Sequence, residues 1–555
     1  MTATMTPYRS GQQAGHDGFA QVLWAEWTKF RTVRGWVVAM LAAAIATALA
    51  PIALASIATS NDPMTCVHGT CQVESSNVAT GPDGEAVTDS FYFVHQPLAG
   101  NGSLTASISS LHGTGPLAYL PGGVPKHHLP GLPQPATQPW AKAGILIKAG
   151  TRPGSPYAAI MLTAGHGVRM QYDFTHDIAG PPAVPSATAP RWLRLARSGD
   201  TVTGYFSADG RHWGTVATVH LTGLPTTAQA GLFVASPDYL FETQGFGGGD
   251  QGVDNPTQAT AVFRQVSKRG DWPAGASAGA WTGGQAGFAQ RSPDKISRTC
   301  NGVACGSLAQ QPGHFRQSGG TFTVAGSGDI APFVQVVDPL QVTFYGTLFG
   351  AIAVIALGAV FITGEYRRGM IRTTLAASPR RGRVLAAKAI VIGLATFAAG
   401  LAGAAIAFPI AVRKLHDLSW KPPVWPVWSL TSQVGVRMVL GTAALLAVTA
   451  LLALAAGTIL RRSAGAITAV IGLVIVPLVL AVVLPTAPAD WLLRYTPAAA
   501  FSLQTSTQRY PQVTTGCIPY HGCYPLAPWT GFAVMCAWAV LALAVAAVLL
   551  RRRDA

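Results

Sequence analysis

The chain has 555 residues, of which 49% are hydrophobic and only 11% charged. A soluble protein carries about 25% charged residues, so this composition excludes a chain that is soluble throughout and implies a membrane protein with a soluble portion. The net charge of +15 does not imply nucleic acid, because the basic residues gather at the edges of apolar runs and along strand-like segments.

Residues 1–18 are polar and read as a disordered cytoplasmic tail. Across 19–35, Phe19, Val22, Leu23, Trp27 and Phe30 recur at helical spacing opposite Gln21, Glu26, Lys29 and Arg31. The pattern predicts an amphipathic interfacial helix with aromatic anchors, or equally a charged flank that orients the first span. Six apolar runs have the length of about 20 residues that crosses a bilayer. They are Trp36 to Ile57, Phe344 to Ile362, Ile390 to Val412, Val439 to Leu460, Ala464 to Leu484 and Trp529 to Leu550. Ala53-Leu54-Ala55 resembles a signal peptidase site, but the first run is longer than the usual apolar region of about 7–15 residues in a signal peptide, and its flank is long.

Lysines and arginines in short loops stay cytoplasmic. With the N-terminus inside, sixteen lie in cytoplasmic flanks and loops and six in the short outer loops: Arg413, Lys414, Lys421, Arg437, Arg494 and Arg509. The expected localisation is the cell membrane, with both termini cytoplasmic and residues 58–341 outside. Cysteines agree, since Cys66, Cys71, Cys300, Cys305, Cys517 and Cys523 fall on the outer side and Cys536 in the last span. Their C-x4-C and C-x5-C spacings read as disulfides, either local or cross-linking the first two pairs. A zinc site from four of them fits by residue type but not by spacing, and no metal is expected.

Within 58–341, β-like runs recur between turn signals: Ser90 to Leu98, Ser103 to Ser110, Ala141 to Lys148, Tyr157 to Thr163 and Gly167 to Phe174, then Arg191 to Arg197, Thr201 to Ser207, Trp213 to His220, Gln229 to Ala235 and Ala259 to Val266. Short strands without an intervening helical pattern predict a β-sandwich over 89–266. Ser207-Ala208-Asp209-Gly210 marks a hairpin turn. Gly113 to Pro139 reads as a surface loop, and Gly245 to Pro256 and Gly270 to Gly284 as flexible connectors. The expected fold class is therefore a polytopic α-helical membrane protein with six transmembrane helices, the first at 36–57 and the rest in 342–555. A large extracytoplasmic all-β sandwich domain lies between the first and second.

The stretches KAGILIKAGTRPGSPYAAIMLTAGHGVRMQY, PRWLRLARSGDTVTGYFSADGRHWGTVATV and AGLFVAS resemble the concanavalin-like, or laminin-G-like, sandwich modules. That resemblance implies a fold that hosts lectins, glucanases and spacers alike. Trp140, Trp192, Tyr205 and Trp213 form a candidate platform for an extracellular glycan, against the alternative that alternating aromatics are core. Glycoside hydrolysis needs paired carboxylates. The glutamates of the segment, Glu74, Glu85 and Glu242, make no such motif, and His127, His128, His166 and His176 have no ligand spacing, so no catalytic residue is expected.

The loop 363–389, beginning TGEYRRGMIRTTLAASPRRGRVLAAK, carries seven basic side chains between the second and third spans. Its first part reads as a short polar helix closed by Ser378-Pro379. Trp420, Trp425 and Trp428 alternate with prolines in an outer loop and suit the headgroup belt. Pro477 is expected to kink the fifth span, and the outer loop 485–528 to hold re-entrant or interfacial helices.

Together with AEWTKFRTVRGW at the first span, the central loop and the six-span layout resemble the permease subunit of an ABC exporter of the type-2 (ABC-2) class. The resemblance implies a coupling loop that docks on a separate ATPase through Glu365, Tyr366, Arg367, Arg368, Arg372 and Thr373. It implies two partners within the lipid bilayer system, a cytoplasmic ABC ATP-binding subunit and a second permease chain, identical or different. No G-x-x-x-x-G-K-[ST] phosphate loop occurs, so the chain is expected to bind no cofactor and to leave ATP to the partner subunit. The inserted sandwich departs from the commonest pattern of that class. Beside the permease stand two other readings: an envelope sensor or adhesion protein whose sandwich binds glycan, and a membrane-anchored carbohydrate enzyme.

Overall fold

A computed structural model describes residues 18–57, 64–67, 70–73, 78–114, 137–184, 186–243, 251–255, 257–273, 280–286, 313–334, 338–370, 380–417, 421–484, 486–513 and 524–552. Among them, six helices are long and apolar enough to cross a membrane: Arg34–Ser56, Pro339–Arg367, Arg381–Asp417, Gln433–Leu460, Ser463–Val483 and Pro528–Arg552. They coincide with the six apolar runs and extend beyond them through polar turns.

In chain order the helices are α1 (Phe19–Thr32), α2 (Arg34–Ile57), α3 (Pro339–Phe344), α4 (Thr347–Arg367), α5 (Arg381–Asp417) and α6 (Gln433–Leu460). Then come α7 (Ser463–Val474), α8 (Val476–Val483), α9 (Thr486–Tyr495), a 3-10 helix (Pro497–Gln504) and α10 (Pro528–Arg552). The fifth span breaks at Ile475, two residues before Pro477 in the first turn of α8, because proline has no N–H to continue the ladder. The last loop does hold helices, and all eight residues of its 3-10 turn are buried. Ser432 caps α6 by accepting from Gly435 N–H. α6 packs against α4, α5 and α10 at the centre of the bundle. Small residues permit the crossings: a Cβ on Gly358 would lie 2.5 Å from Ala450 O, and one on Gly403 2.8 Å from Ala44 O. Close backbone approach of this kind drives helix association in lipid, where apolar burial gives no preference for protein over lipid.

The strands between α2 and α3 are β1 (Met64–Val67), β2 (Thr70–Val73), β3 (Ala79–Thr80), β4 (Ala86–Asp89), β5 (Phe91–Leu98), β6 (Gly102–Thr114) and β7 (Lys142–Lys148). Next come β8 (Tyr157–Thr163), β9 (Gly167–Tyr172), β10 (His176–Ala179), β11 (Arg191–Ser198), β12 (Thr201–Ser207), β13 (Gly214–His220) and β14 (Ala228–Ala235). The remainder are β15 (Tyr239–Thr243), β16 (Gln251–Asn255), β17 (Gln258–Gly270), β18 (Thr282–Ala286), β19 (His314–Ser318), β20 (Thr321–Gly326) and β21 (Ile330–Pro332). Two seven-stranded sheets form, β10-β9-β8-β7-β14-β5-β18 and β13-β12-β11-β6-β17-β20-β19.

Each of the ten predicted runs is a strand of one of these sheets. Segments expected as connectors also form strands: Thr282–Ala286 joins the first sheet beside β5, and Gln251–Asn255 pairs with β15 in a separate two-stranded sheet. The sheets face each other across a core of Val94, Ile145, Ile160, Leu193, Leu195, Leu232, Phe263 and Val324. In the second sheet, β11 alternates, with Leu193 and Leu195 inside and Trp192 and Arg194 outside, as a half-exposed strand must. At the centre of the first sheet there is no alternation, and every residue of β7 and β8 is buried. Its outer face is covered by β21-β4-β3 and by Phe174, which enclose Phe91, Phe93, Leu146, Tyr157 and Phe233. Two lysines on that covered face are matched by acids from the cover, Lys148 Nζ lying 2.8 Å from Asp89 Oδ2 and Lys142 Nζ 2.5 Å from Asp329 Oδ1.

Among the described residues the sandwich is hydrogen-bonded to the helical half through Gln512. Gln512 Nε2 donates to Phe174 O at 3.1 Å and Thr175 O at 3.2 Å. Asp338, which caps α3, accepts from Gln341 N–H and from both the N–H and hydroxyl groups of Ser506 and Thr507.

Candidate coupling site

The central loop leaves α4 at Arg367 and returns at α5, and both helices end in polar turns whose side chains do different work. Glu365 was expected on a docking surface. It instead turns inward, 8% exposed, where Lys388 of α5 meets it at 2.7 Å. Lys388 is fully buried, and its second contact, also 2.7 Å, is Glu26 of α1. Lys29 completes the group, 2.9 Å from Glu26 and 3.5 Å from Glu365. Two carboxylates and two ammonium groups thus balance at the joint of three elements. The Lys388 ammonium also lies 5.0 Å from the centre of the Phe361 ring, a cation–π contact. Burial pulls the Lys29 ammonium down, but Glu26 and Glu365 together hold it above the ordinary lysine value.

Glu26 was expected on the polar face of α1, yet it is buried beside Phe30, while Trp24 and Trp27 are exposed. The helix therefore rests on the bundle through an ion pair as well as an apolar face. Sequence reasoning missed this group. The available signal was Lys388 within the apolar run VLAAKAIVIG, since an ionisable residue at a span must find a partner.

Tyr366 is half-buried, its ring 5.3 Å from the Arg461 guanidinium. Arg461 ends α6 in the left-handed conformation at φ 56°. Arg381 Nη1 donates to Leu550 O at 2.9 Å, tying the start of α5 to the end of α10. Around these contacts, Arg367, Arg368, Arg380, Arg462, Arg551 and Arg552 are exposed at one end of the bundle. Arg372 and Thr373 lie outside the described residues. The result is a basic rim over a neutral, closed ionic joint.

The four aromatic residues proposed as a glycan platform do not come together. Trp140 is buried, stacked on His166 at 3.9 Å with the Arg169 guanidinium 5.4 Å from its ring, beside the first sheet. Trp192, Tyr205 and Trp213 are half-buried along the outer face of the second. Arg194 lies 4.0 Å from the Trp213 ring and opposite Tyr205, and the Trp192 ring packs over the Gly210 turn. Gly210 has φ +75°, as the hairpin turn requires.

Cys66 and Cys71 are paired opposite each other in the β1–β2 hairpin. Cys300, Cys305, Cys517 and Cys523 lie outside the described residues. Among the described residues no three of His, Cys, Asp and Glu are grouped to hold a metal ion. Trp425 and Trp428, expected in a lipid-facing belt, are 7% and 5% exposed and pack on the far end of α5; Trp420 lies outside the described residues.

A family model described as ABC-2 family transporter protein matches residues 251–555. Two solved structures are similar to part of the chain. One is Scytalido-glutamic peptidase with a peptide-based transition state analog, at 8% identity and a TM-score of 0.21, covering 43% of this chain and 98% of that one. The other is a functionally unknown protein from Saccharomyces cerevisiae, at 13% identity and a TM-score of 0.20, covering 40% and 99%. No curated relative matches the chain.

Proposed function

The chain belongs to the ABC-2 family of transporter proteins, and from that premise we propose that it is the permease of an ATP-driven exporter whose ATPase is a separate cytoplasmic subunit. The observation that carries this reading is the joint at the central loop. Exposed Arg367 and Arg368 directly follow Glu365 and Tyr366, which are tied to α5, α1 and the end of α6. A push on the arginines passes into α5 and α1 through short ionic contacts and into the end of α6 through the Tyr366–Arg461 ring contact. The basic rim suits an acidic groove on the partner, and Trp24 and Trp27 suit the headgroup layer beside it. Two such chains, or this chain and a related one, complete the assembly, with the sandwich on the outer side.

A pull-down of the tagged chain in detergent tests the reading, with and without Arg367, Arg368 and Arg372 changed to Glu. The native chain should bring ATPase activity into the eluate and the charge-reversed chain should not. A folded native chain that brings down no ATPase removes the main support of the proposal. A second reading, glycan recognition by the sandwich, rests on Arg194, Tyr205 and Trp213 sharing one outer face. It predicts binding on a glycan array that is lost in Trp213→Ala.

A further inference from the structure

The two seven-stranded sheets treat charge differently. Every lysine and arginine in the strands of the first, Lys142, Lys148 and Arg169, is matched by a carboxylate: Asp329, Asp89 and Asp177 in turn. No strand of the second sheet contains an aspartate or a glutamate. Its outward arginines accordingly have no carboxylate partner among the described residues.

Leu193, Leu195, Phe263 and Phe315 pack on the core between the sheets, so alternation puts Arg194, Arg264 and Arg316 on the outer face. Register places Arg269 there too. Across β6, Thr105 lies opposite Arg194, while Ser107 and Ser103, one outward position to either side, lie opposite Arg264 and Arg269. With strands about 4.8 Å apart and outward positions about 6.8 Å apart along them, the Cα of Arg194 stands about 12 Å from that of each neighbour. Arg264, Arg269 and Arg316 are exposed, and Arg194 is half-buried. Its Nε donates to Thr105 Oγ1 at 3.0 Å, and its guanidinium lies 4.0 Å from the Trp213 ring. Burial lowers that guanidinium below the ordinary arginine value, and Arg269 lowers it further. The two cations feel each other, and no acid in the sheet offsets them.

Like charges gathered on a rigid sheet without acids are complementary to a polyanion, and the planar fork of arginine suits carboxylate and phosphate groups. Trp192, Tyr205 and Trp213 stand beside the arginines and offer flat apolar faces. Among the described residues of this face no large aliphatic side chain is exposed, so it lacks the anchors that enter a lipid surface.

We propose that the outer face of the second sheet binds an acidic polysaccharide, with its anionic groups on Arg194, Arg264 and Arg269 and its sugar rings against Tyr205 and Trp213. This assignment rests on glycan recognition by the sandwich and adds the charge of the ligand.

The test titrates the full chain in detergent with polygalacturonate and with its fully methyl-esterified form, which keeps the sugar chain and removes the charge. Polygalacturonate should bind about tenfold tighter than the ester, and more weakly as salt rises. Arg264→Gln and Arg269→Gln, at exposed positions, should each weaken it about fivefold, and Arg194→Gln about tenfold. Unchanged melting temperatures check that the variants are folded. Neutral glycans bound on an array and lost in Trp213→Ala, with polygalacturonate no tighter than its ester, would keep the glycan reading and overturn the acidic assignment. No glycan bound at all would overturn both. Single-stranded DNA or phosphatidylglycerol vesicles bound as tightly as polygalacturonate, with the same dependence on the arginines, would make this a general anion surface and overturn the assignment to a polysaccharide. Wild-type binding of polygalacturonate after all three arginines are changed to Gln would overturn it as well.

Discussion

Lys388 Nζ lies 2.7 Å from Glu365 Oε1, a contact that bridges the central loop from the last turn of α4 to a point about two turns into α5. Removing one member of a buried ion pair leaves its partners in a low-dielectric site, at a cost of about 3–5 kcal/mol. Lys388→Met should destabilise the chain by that amount in thermal unfolding, since Glu26 and Glu365 would share Lys29 alone. Lys29→Met should cost much less, because Lys29 is 45% exposed and its pairs are screened. Equal effects of the two would mean that water or lipid headgroups reach Lys388.

Asp338→Asn replaces an anion that accepts five hydrogen bonds by an amide with one accepting oxygen. At about 1.5–3 kcal/mol for a hydrogen bond to a charged group, the loss should be about 3 kcal/mol or more. Hydrogen exchange should rise at Ser506 and Thr507 first. A change spread evenly over α3 and α4 instead would assign Asp338 to capping alone.

The sandwich should weaken on acidification. Burial lowers the His95 imidazole below its ordinary 6.5, with Gln229 opposing in part, and burial lowers His166 as well, helped by Arg169. A base whose folded value is depressed is charged more readily when unfolded. Its contribution is complete above 6.5 and is lost as pH falls below that toward the folded value. His95→Gln, compared with the native chain at pH 7.5 and 5.5, should lose less stability between the two. An unchanged difference would place the acid sensitivity elsewhere.

Directly opposed residues of an antiparallel pair have Cα atoms about 4.5–5.5 Å apart, within the usual disulfide range of about 4.4–6.8 Å. Cys66 and Cys71 are so placed. Peptide mapping without reductant should therefore recover them linked to each other, which would also put the hairpin on an oxidising side. Free thiols at both positions in protein taken from intact cells would contradict the outward placement of the sandwich.

What was legible in the sequence is what periodicity encodes. Ten strands and six spans follow from alternation and apolar length, and the break in the fifth span from Pro477. TGGQA, which forms β18, has a single β-branched residue and no apolar alternation, and pairs because β5 presents an open edge to it. The ionic joint depends on Glu26 and Lys388, separated by 362 positions, and no local pattern reports such a pairing. Trp425 and Trp428 read as membrane anchors by composition, but the end of α5 supplies a protein surface that buries them instead.

The chain leaves the bundle at Ile57 and re-enters it at Asp338, and Gln512 grips the turn at Phe174 from a third direction in sequence. A domain hung on two ends of a chain would swing freely. The hydrogen bonds of Gln512 to Phe174 O and Thr175 O add a contact at its flank, so tilting the sandwich works against the last loop and not against the chain ends alone.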